Sequence, residues 1–343
     1  MNYTDVQKIL DKSDEKILKK YEKYIKDFEL MAELATILKN KRKENGYLNL
    51  DIPESKITLD ENGFAINVQK YETYFSNEII EQFMLAANET IAEKFYWLQA
   101  PFIYRNHEAP DLDKVKDLNK VLYNFGYKIK ISKEDIIYPN EFAKILDDVK
   151  GKETEKVVSN IILRTLRVAK YEAENKGHFG IASKYYCHFT SPIRRYPDLF
   201  IHRIISKYLE NDYMVNDFWI KKYEKRAEKR AENCSERERT ATKVEREAED
   251  IKKAEYMENK IGEEYEGIIS SITNFGIFVE LENTIEGLIR YETLGDEYFI
   301  YNEERREAIG EHSNKIYKIG DKVKIRVADA NKALRRIDFE IVE

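Results

Sequence analysis

Two adjacent arginines, Arg194 and Arg195, are the residues of this chain whose type and setting best suit chemistry on a phosphodiester. They stand in segment 188–203, which reads HFTSPIRRYPDLFIHR. Pro192 fixes φ just before the arginines, and a helix is predicted to begin near Pro197. A rigid loop would therefore present two guanidiniums. Each is a planar fork of donors that matches two phosphate oxygens and keeps its charge.

Local chemistry leaves a second interpretation of the arginines open. Asp198 follows them closely, and glutamates are frequent in the chain. A carboxylate could hold the pair in place, so that the guanidiniums support the loop and never reach a ligand. Most arginines in proteins are structural or solvated, and this interpretation is kept beside the first.

The whole segment resembles the signature of the RNB catalytic domain of the ribonuclease II/ribonuclease R family. Members of that family are processive 3'-to-5' exoribonucleases that release nucleoside monophosphates. The string TSPIRRYPD is intact here, and the texture is nearest to the ribonuclease R type. The same resemblance extends to MNYTDVQKIL at 1–10, IIEQFMLAANETIAEKFYW at 79–97, APFIYRNHEAPD at 100–111 and HFGIASKYYCHF at 178–189. It covers essentially the whole chain and implies single-stranded RNA as the substrate.

The resemblance also implies roles for individual residues. Arg194 matches the arginine that contacts the scissile phosphate, where a cation stabilises charge developing on the phosphoryl oxygens. Catalytic positions of the family are matched in addition by Glu81, Glu245 and Tyr3, and RNA-binding positions by Arg195 and Tyr196. Without the resemblance, Glu81 and Glu245 are typical of solvated helix carboxylates, and Tyr3 of a frayed terminal residue.

Hydrolysis in this family depends on metal ions, with Mg²⁺ expected, held by closely spaced aspartates in the first half of the catalytic domain. No such cluster stands out in this sequence. Asp147 and Asp148 fit a solvated helix end, and Asp111 and Asp113 fit a helix start, where acidic residues complement the dipole. The cold-shock-type RNA-binding domains of the family are missing too. We therefore expect no metal ligands in this chain, inactivity in isolation, and the missing N-terminal half of the enzyme as a partner.

Composition limits the class of protein. The chain has 343 residues, 36% of them charged and 42% hydrophobic, and no apolar run long enough to cross a bilayer. The first residues lack the basic and apolar regions of a secretory signal. Cys187 and Cys234, the only cysteines, predict neither a disulfide framework nor a zinc site, so we expect a cytoplasmic protein. The net charge of −6 does not favour a nucleic-acid binder, although one groove can be basic in an acidic protein.

The elements that must position these residues predict an α+β fold. Glycine and proline are absent from 198–261, which is typical of long helices. After Ile261, short β-branched and aromatic runs separated by glycines are typical of a small barrel. We predict a mostly helical partial RNB catalytic domain over residues 1–260 and an OB-fold β-barrel over residues 261–343.

Two local patterns refine the helical part. Strand-like alternation on both sides of Asn62-Gly63 predicts a β-hairpin. Apolar residues at three- and four-residue steps predict one helix over 80–98 and another over 112–125. A hairpin beside a helical layer implies a larger sheet that this chain does not contain.

Segment 264–281, EYEGIISSITNFGIFVEL, resembles the first strands of an OB-fold RNA-binding domain of the ribosomal S-one type. Phe275 and Phe278 match the exposed aromatics on which bases stack in such domains. Alternatively both are barrel core. Their different parity would send them to opposite faces of a straight strand, so Phe278 is preferred unless Gly276 introduces a bulge. From residue 262 onward the sequence contains 11 Lys and Arg and 18 Asp and Glu. This negative balance predicts that the RNA affinity of the domain is modest and depends on salt.

Two functions remain from the sequence. The first is part of a 3'-to-5' exoribonuclease of the ribonuclease R type, favoured by Arg194 and its flanking motif. The alternative is a non-catalytic RNA-binding or regulatory module that uses the same surface, favoured by the missing aspartates.

Overall fold

The chain folds into a helical part followed by a closed barrel. The computed structural model describes residues 1–49, 54–152, 154–295, 297–303 and 305–342. The predicted α+β class is confirmed: helices predominate up to Glu258, and the first barrel strand begins at Glu264. The boundary proposed near residue 261 lies between these two elements. Within the described part of the chain, no helix is long and apolar enough to span a membrane.

Helices make up most of the first part. They are α1 (Tyr3–Leu10), α2 (Glu15–Tyr21), α3 (Ile25–Asn45), α4 (Phe75–Trp97), α5 (Leu112–Tyr123), α6 (Pro139–Val149), α7 (Glu155–Thr165), α8 (Tyr196–Glu210) and α9 (Asp217–Glu258). Asn2 caps α1 and Asn216 caps α9, since each side-chain oxygen accepts a backbone N–H. α3 ends at Gly46, whose φ of 95° is the left-handed conformation that turns the chain away. α9 reaches 42 residues because neither glycine nor proline interrupts it.

The apolar stripe predicted over 80–98 lies on a helix, α4, but it is not the most buried face of that helix. Met84 of the stripe is 37% exposed, whereas Gln82 and Asn88 are 2% and 3% exposed. Both polar side chains can be buried because they are hydrogen-bonded, Gln82 to an arginine of α3 and Asn88 to the hydroxyl of Tyr186. The prediction of the helix is confirmed, and its most buried positions include polar residues that the apolar periodicity does not indicate.

Two small sheets accompany the helices. β1 (Ser55–Leu59) and β2 (Ala65–Lys70) form the predicted antiparallel hairpin, with Gly63 at a positive φ of 83° in the turn. β3 (Tyr104–Asn106) pairs with β4 (Lys170–Glu172) close to the arginine loop. Neither pair extends into a larger sheet within the described residues.

The barrel closes through strands of alternating burial. Its strands are β5 (Glu264–Thr273), β6 (Gly276–Leu281), β7 (Glu286–Arg290), β11 (Lys322–Asn331) and β12 (Arg336–Ile341), paired in the order β11-β12-β7-β6-β5. Between β7 and β11, a three-stranded sheet is formed by β8 (Phe299–Asn302), β9 (Glu307–Gly310) and β10 (Ile316–Lys318). Ile277, Val279 and Leu281 of β6 point into the core, and Phe278 between them is only half-buried. Alternate residues of the strand therefore pack in the barrel core, and the residues between them face the outer surface.

Two hydrophobic cores hold the fold together. One joins α5, α6 and α7 to the barrel and includes Met257 at the end of α9. The other lies beneath the arginine loop and contains Phe95 of α4, Ile201 and Ile204 of α8, and Trp219 of α9. The loop therefore rests on three helices that pack against one another.

Glu255 joins the hairpin, α9 and the barrel at one point. Its side chain is 9% exposed. Oε2 accepts the backbone N–H of Ala65 at 3.0 Å and Nζ of Lys252 at 2.8 Å, and Oε1 accepts Nζ of Lys332 at 3.3 Å. Lys252 above all, and the N–H of Ala65 next, lower the pKa of this carboxyl to about 2. The ionised carboxylate thus fixes the barrel against the hairpin.

Replacing Glu255 with Gln should lower the free energy of unfolding by about 1–2 kcal/mol at pH 7, because charge-assisted hydrogen bonds are lost. The pKa is depressed from 4.5 to about 2, so the contribution is present above pH 4.5 and is lost as the pH falls toward 2. Urea unfolding of native chain and E255Q should converge across that range. The exposed Glu232→Gln serves as the control, and a difference that stays constant down to pH 2 would contradict the role of the charge.

Candidate nucleic-acid interface

The arginine loop is a tight turn closed by its own backbone. The N–H groups of Arg194 and Arg195 both point to the carbonyl oxygen of Ser191, at 3.3 and 3.0 Å. α8 then begins at Tyr196, with Pro197 in its first turn, where the missing N–H of proline has no helical partner to lose. The predicted loop followed by a helix is confirmed, and its rigidity stays a prediction.

Asp198 anchors this turn from below. Its side chain has no solvent exposure, and Oδ1 accepts the N–H of Ser191 at 2.7 Å and Nη2 of Arg195 at 2.8 Å. Arg195 is 20% exposed at its side chain, so its guanidinium lies largely inside the protein, where Nη2 pairs with Asp198. The structural interpretation left open by the sequence thus describes Arg195.

Arg194 has a different environment. Its side chain is exposed, and within the described residues it forms no ion pair or hydrogen bond. Ile193 beside it is fully exposed, so nothing covers the tip of the loop. The turn therefore uses one arginine for its own stability and presents the other to solvent with its donors available for an anion.

Asn88 of α4 supports the strand-like segment that enters the loop. Its Oδ1 accepts the N–H of Phe189 at 3.0 Å, its Nδ2 donates to the hydroxyl of Tyr186 at 3.1 Å, and its carbonyl oxygen lies 3.2 Å from Sγ of Cys187. On the other side, Nε2 of His202 lies 3.0 Å from the carbonyl oxygen of Phe189, and the two rings stack at 4.4 Å. Buried polar contacts from α4 and α8 thus clamp the approach to the turn.

His188 is held by a chain of contacts that ends on α9. Its Nδ1 lies 2.8 Å from the hydroxyl of Tyr171 on β4. The guanidinium of Arg105 lies over the Tyr171 ring, 4.6 Å from its centre, and pairs with Glu238 of α9. Burial first, and the positive charges of Arg195 and other arginines next, lower the pKa of His188 to about 2. The imidazole is therefore neutral at physiological pH and shares a single hydrogen bond with the tyrosine.

Tyr3 and Glu81, the predicted catalytic residues of the first part, belong to the packed pair α1 and α4. Tyr3 is 46% exposed in the capped first turn of α1, and its carbonyl oxygen accepts Oγ of Ser76 at 2.8 Å. Glu81 is half-buried on α4, and Oε1 accepts the hydroxyl of Tyr47 at 3.3 Å. The structure thus places these two residues on neighbouring helices.

Glu245 lies on α9, seven residues beyond Glu238, and therefore on a similar side of the helix. It is exposed, whereas Glu238 is half-buried and ion-paired. Sequence analysis missed Glu238. The seven-residue spacing to Glu245 was the signal that could have identified it.

Phe275 and Phe278 come together on one surface of the barrel. Phe275 is 52% exposed in the turn before β6, Phe278 lies within the strand, and their rings meet edge to face at 5.8 Å. The parity argument does not apply, because Phe275 precedes the strand, and no bulge at Gly276 is needed. Arg290 pairs with Gly276 across the strands, and a side chain at Gly276 would collide with the carbonyl oxygen of Ile289. Arg290, which the sequence did not single out, therefore lies across the β6–β7 pair from the residue that follows Phe275.

Three of the four aspartates considered from the sequence form ion pairs with lysine or arginine. Asp111, before α5, pairs with Arg167, Asp113 with Lys116, and Asp147 of α6 with Lys43 of α3. Across the described ranges, no group of three or more His, Cys, Asp or Glu side chains is arranged to hold a metal ion. These residues do not fit a Mg²⁺ site.

Comparison with known proteins assigns both parts of the chain. Residues 1–211 match the RNB domain, and residues 258–342 match the S1 RNA binding domain. The chain therefore belongs to the RNB domain family, as the sequence motif predicted.

The relatives of the chain are ribonucleases R. Ribonuclease R 1 of Lactococcus lactis is 42% identical over 99% of this chain and 41% of its own length. Ribonuclease R of Aquifex aeolicus is 39% identical over 96% of this chain and 46% of its own length. A structure of Mycoplasma genitalium RNase R in complex with ribose methylated single-stranded RNA matches with a TM-score of 0.90 at 29% identity, covering 99% of this chain and 53% of that one. The chain thus spans about half the length of these relatives.

Truncation of the two loop arginines to alanine should affect the free energy of unfolding differently. Arg195→Ala leaves the carboxylate of Asp198 buried without its cation, and should cost about 2–4 kcal/mol of unfolding free energy. Arg194→Ala removes no contact and should leave the urea midpoint unchanged. Both variants lose one positive charge, so each is the other's control. Equal midpoints for the two variants would show that Asp198 does not depend on Arg195.

Proposed function

We propose that this chain supplies the phosphate-contacting loop, one wall of the RNA channel and the S1-type barrel of a 3'-to-5' exoribonuclease of the ribonuclease R type. The complete enzyme would hydrolyse single-stranded RNA to nucleoside 5'-monophosphates. The supporting observation is Arg194, an exposed arginine whose side chain has no partner among the described residues, on a turn that buried groups hold in place. An arginine that only stabilised the fold would be paired, as Arg195 is.

In this proposal Arg194 donates hydrogen bonds to the oxygens of the scissile phosphate and stabilises the charge that develops there. Tyr3, Glu81 and Glu245 are the further catalytic residues, and Tyr196 borders the RNA beside them, while Arg195 holds the turn through Asp198. On the barrel, Phe275 and Phe278 stack bases, and Arg290 contacts a phosphate. Stacking does not distinguish bases, which suits an enzyme that degrades RNA of any sequence.

In this proposal the ligands of the catalytic metal lie in the N-terminal half of the enzyme, which this chain does not span. Mg²⁺ would supply activation of the attacking water and stabilisation of the leaving oxygen. Because the described residues offer no fitting donor group, we propose that its ligands belong to the N-terminal half and that the chain alone is inactive. That half is then its partner. The free thiols of Cys187 and Cys234 are compatible with the cytoplasm as the site of action.

The second candidate function is a non-catalytic RNA-binding or regulatory module. The observation in its favour is the same lack of a metal-binding group among the described side chains. Such a module would use Arg194 and the barrel for affinity alone. Supplying the other half of the enzyme would then produce no cleavage.

Labelled RNA distinguishes the two functions. Single-stranded RNA carrying a 3' or a 5' label is incubated with Mg²⁺ and the chain, with and without the N-terminal half of a ribonuclease R as a separate polypeptide. We expect salt-dependent binding by the chain alone, and release of monophosphates from the 3' end only when both halves are present. Arg194→Ala should lower kcat of the combined enzyme about 100- to 1000-fold, as expected when one charge-stabilising donor is lost.

The matched control is Arg203→Ala, which removes an exposed arginine of α8 without touching the loop. Binding without cleavage by the combined halves would favour the regulatory module. Monophosphate release by the chain alone would contradict the assignment of the metal ligands to the other half. A chain that neither binds RNA nor acts with that half would overturn the whole proposal.

A further inference from the structure

The first half of α9 separates its charges by sign. Its charged residues form three sets, and within each set neighbouring members are four residues apart. The sets are Glu224, Glu228, Glu232 and Glu236; Lys221, Lys225 and Lys229; and Arg226 and Arg230. Four-residue steps keep side chains on one side of a helix, so the three sets form parallel acidic, lysine and arginine rows. Lys222 and Arg237 lie on the same side as Arg226 and Arg230. We call these four cations the arginine stripe.

The arginine stripe is free to meet a ligand. All four of its side chains are exposed, and none forms an ion pair within the described residues. Over residues 217–239 of α9, the ion pair that does form joins Glu238 to Arg105 on the partly buried side of the helix. The glutamates of the acidic row thus leave the stripe unneutralised.

This separation has an energetic cost for the helix. Like charges at four-residue steps destabilise a helix by about 0.2–0.5 kcal/mol per pair, whereas alternating charges at that spacing stabilise it by a similar amount. An interleaved order of the same residues would therefore give a more stable helix of the same solubility. A requirement for positive charge on one side of α9 would explain why the charged residues are arranged in this order.

Aromatic rings alternate with the cations along the stripe. Nζ of Lys222 lies 5.9 Å from the ring centre of Phe218 and 5.6 Å from that of Tyr223. The guanidinium of Arg226 lies 5.6 Å from the centre of the Tyr223 ring. Phe218 is 76% exposed, so its ring is open to a further stacking partner. Rings between cations are the arrangement that single-stranded nucleic acid recognises, since phosphates and bases alternate along it.

The stripe meets the arginine loop at Tyr196. The guanidinium of Arg230 lies 5.6 Å from the centre of the Tyr196 ring, which is 38% exposed and follows Arg194 by two residues. From Lys222 to Arg237 the helix rises about 22 Å. A continuous row of cations and rings thus leads from the loop along the outside of α9.

We infer that the arginine stripe is a second binding surface for single-stranded RNA, continuous with the loop of Arg194. Lys222, Arg226, Arg230 and Arg237 contact successive phosphates, and the exposed ring of Phe218 offers a face to a base, while Tyr223 orients Lys222 and Arg226. The inference rests on the proposed function for the identity of the ligand. It adds a path along α9 that is separate from the barrel with Phe275 and Phe278.

The test compares two double variants of the full chain that lose the same charge from the same helix. Arg226→Gln/Arg230→Gln removes the middle of the stripe, and Lys221→Gln/Lys225→Gln removes two of the three lysines of the neighbouring row, which lie over no ring of the described residues. Fluorescence anisotropy with a 5'-labelled polyuridine, longer than the about 4–16 nucleotides that one OB fold covers, gives Kd over a range of salt concentrations. Two lost phosphate contacts should weaken binding about tenfold and reduce the slope of log Kd against log salt by about 1.4.

The lysine double variant should change Kd by less than about twofold, because screened exposed charges outside a contact contribute little. Matching urea midpoints exclude unfolding as the cause of any difference. Equal losses in the two double variants would overturn the inference, since net charge alone would explain them. An unchanged slope of log Kd against log salt in Arg226→Gln/Arg230→Gln would also overturn the inference. If that variant binds normally while Arg194→Ala still lowers kcat with the other half as predicted, the inference about the stripe is wrong and the proposed function stands.

Discussion

Asp198 is a carboxylate without solvent exposure, and the usefulness of the arginine loop depends on how that charge is satisfied. A buried carboxylate is costly unless it is paired and hydrogen-bonded. Here one oxygen accepts the N–H of Ser191 and the guanidinium of Arg195, which fixes the turn and occupies Arg195 at the same time. Arg194 is left as the exposed member of the pair. Arg194 and Arg195 thus have different roles because Asp198 pairs with only one of them.

The surroundings of the loop show why it can keep this geometry. Asn88 and His202 hold the segment before the turn through buried hydrogen bonds, and His188 is tied through Tyr171 to α9. Rotation of any of these side chains would leave a buried polar group without a partner, which costs about 1–3 kcal/mol. Since α4, α8 and α9 all contribute, the loop is positioned by the fold as a whole. The same helix α9 reaches the barrel, where Glu255 links it to Lys332.

Much of the fold could be predicted because it follows local rules. The Asn62-Gly63 hairpin, the long helix free of glycine and proline, and the alternating strand around Phe278 all appear where the sequence indicates. The inner face of α4 could not be predicted, because Gln82 and Asn88 are buried through partners distant in sequence. For the same reason the sequence could not decide between a functional and a structural role for Arg194 and Arg195. The side chains of Glu238 and Arg290 acquire their settings only from strands and helices that meet in three dimensions.

The central claim is that Arg194 is available to a phosphate and Arg195 is not. The Nε–H resonances of the two arginines, assigned with Arg194→Lys and Arg195→Lys, report this directly when single-stranded RNA is added. The account predicts that the Arg194 signal shifts and slows its exchange with water, while the Arg195 signal is already protected and stays in place. A shift of Arg195 with Arg194 unmoved would contradict the assignment of the two roles.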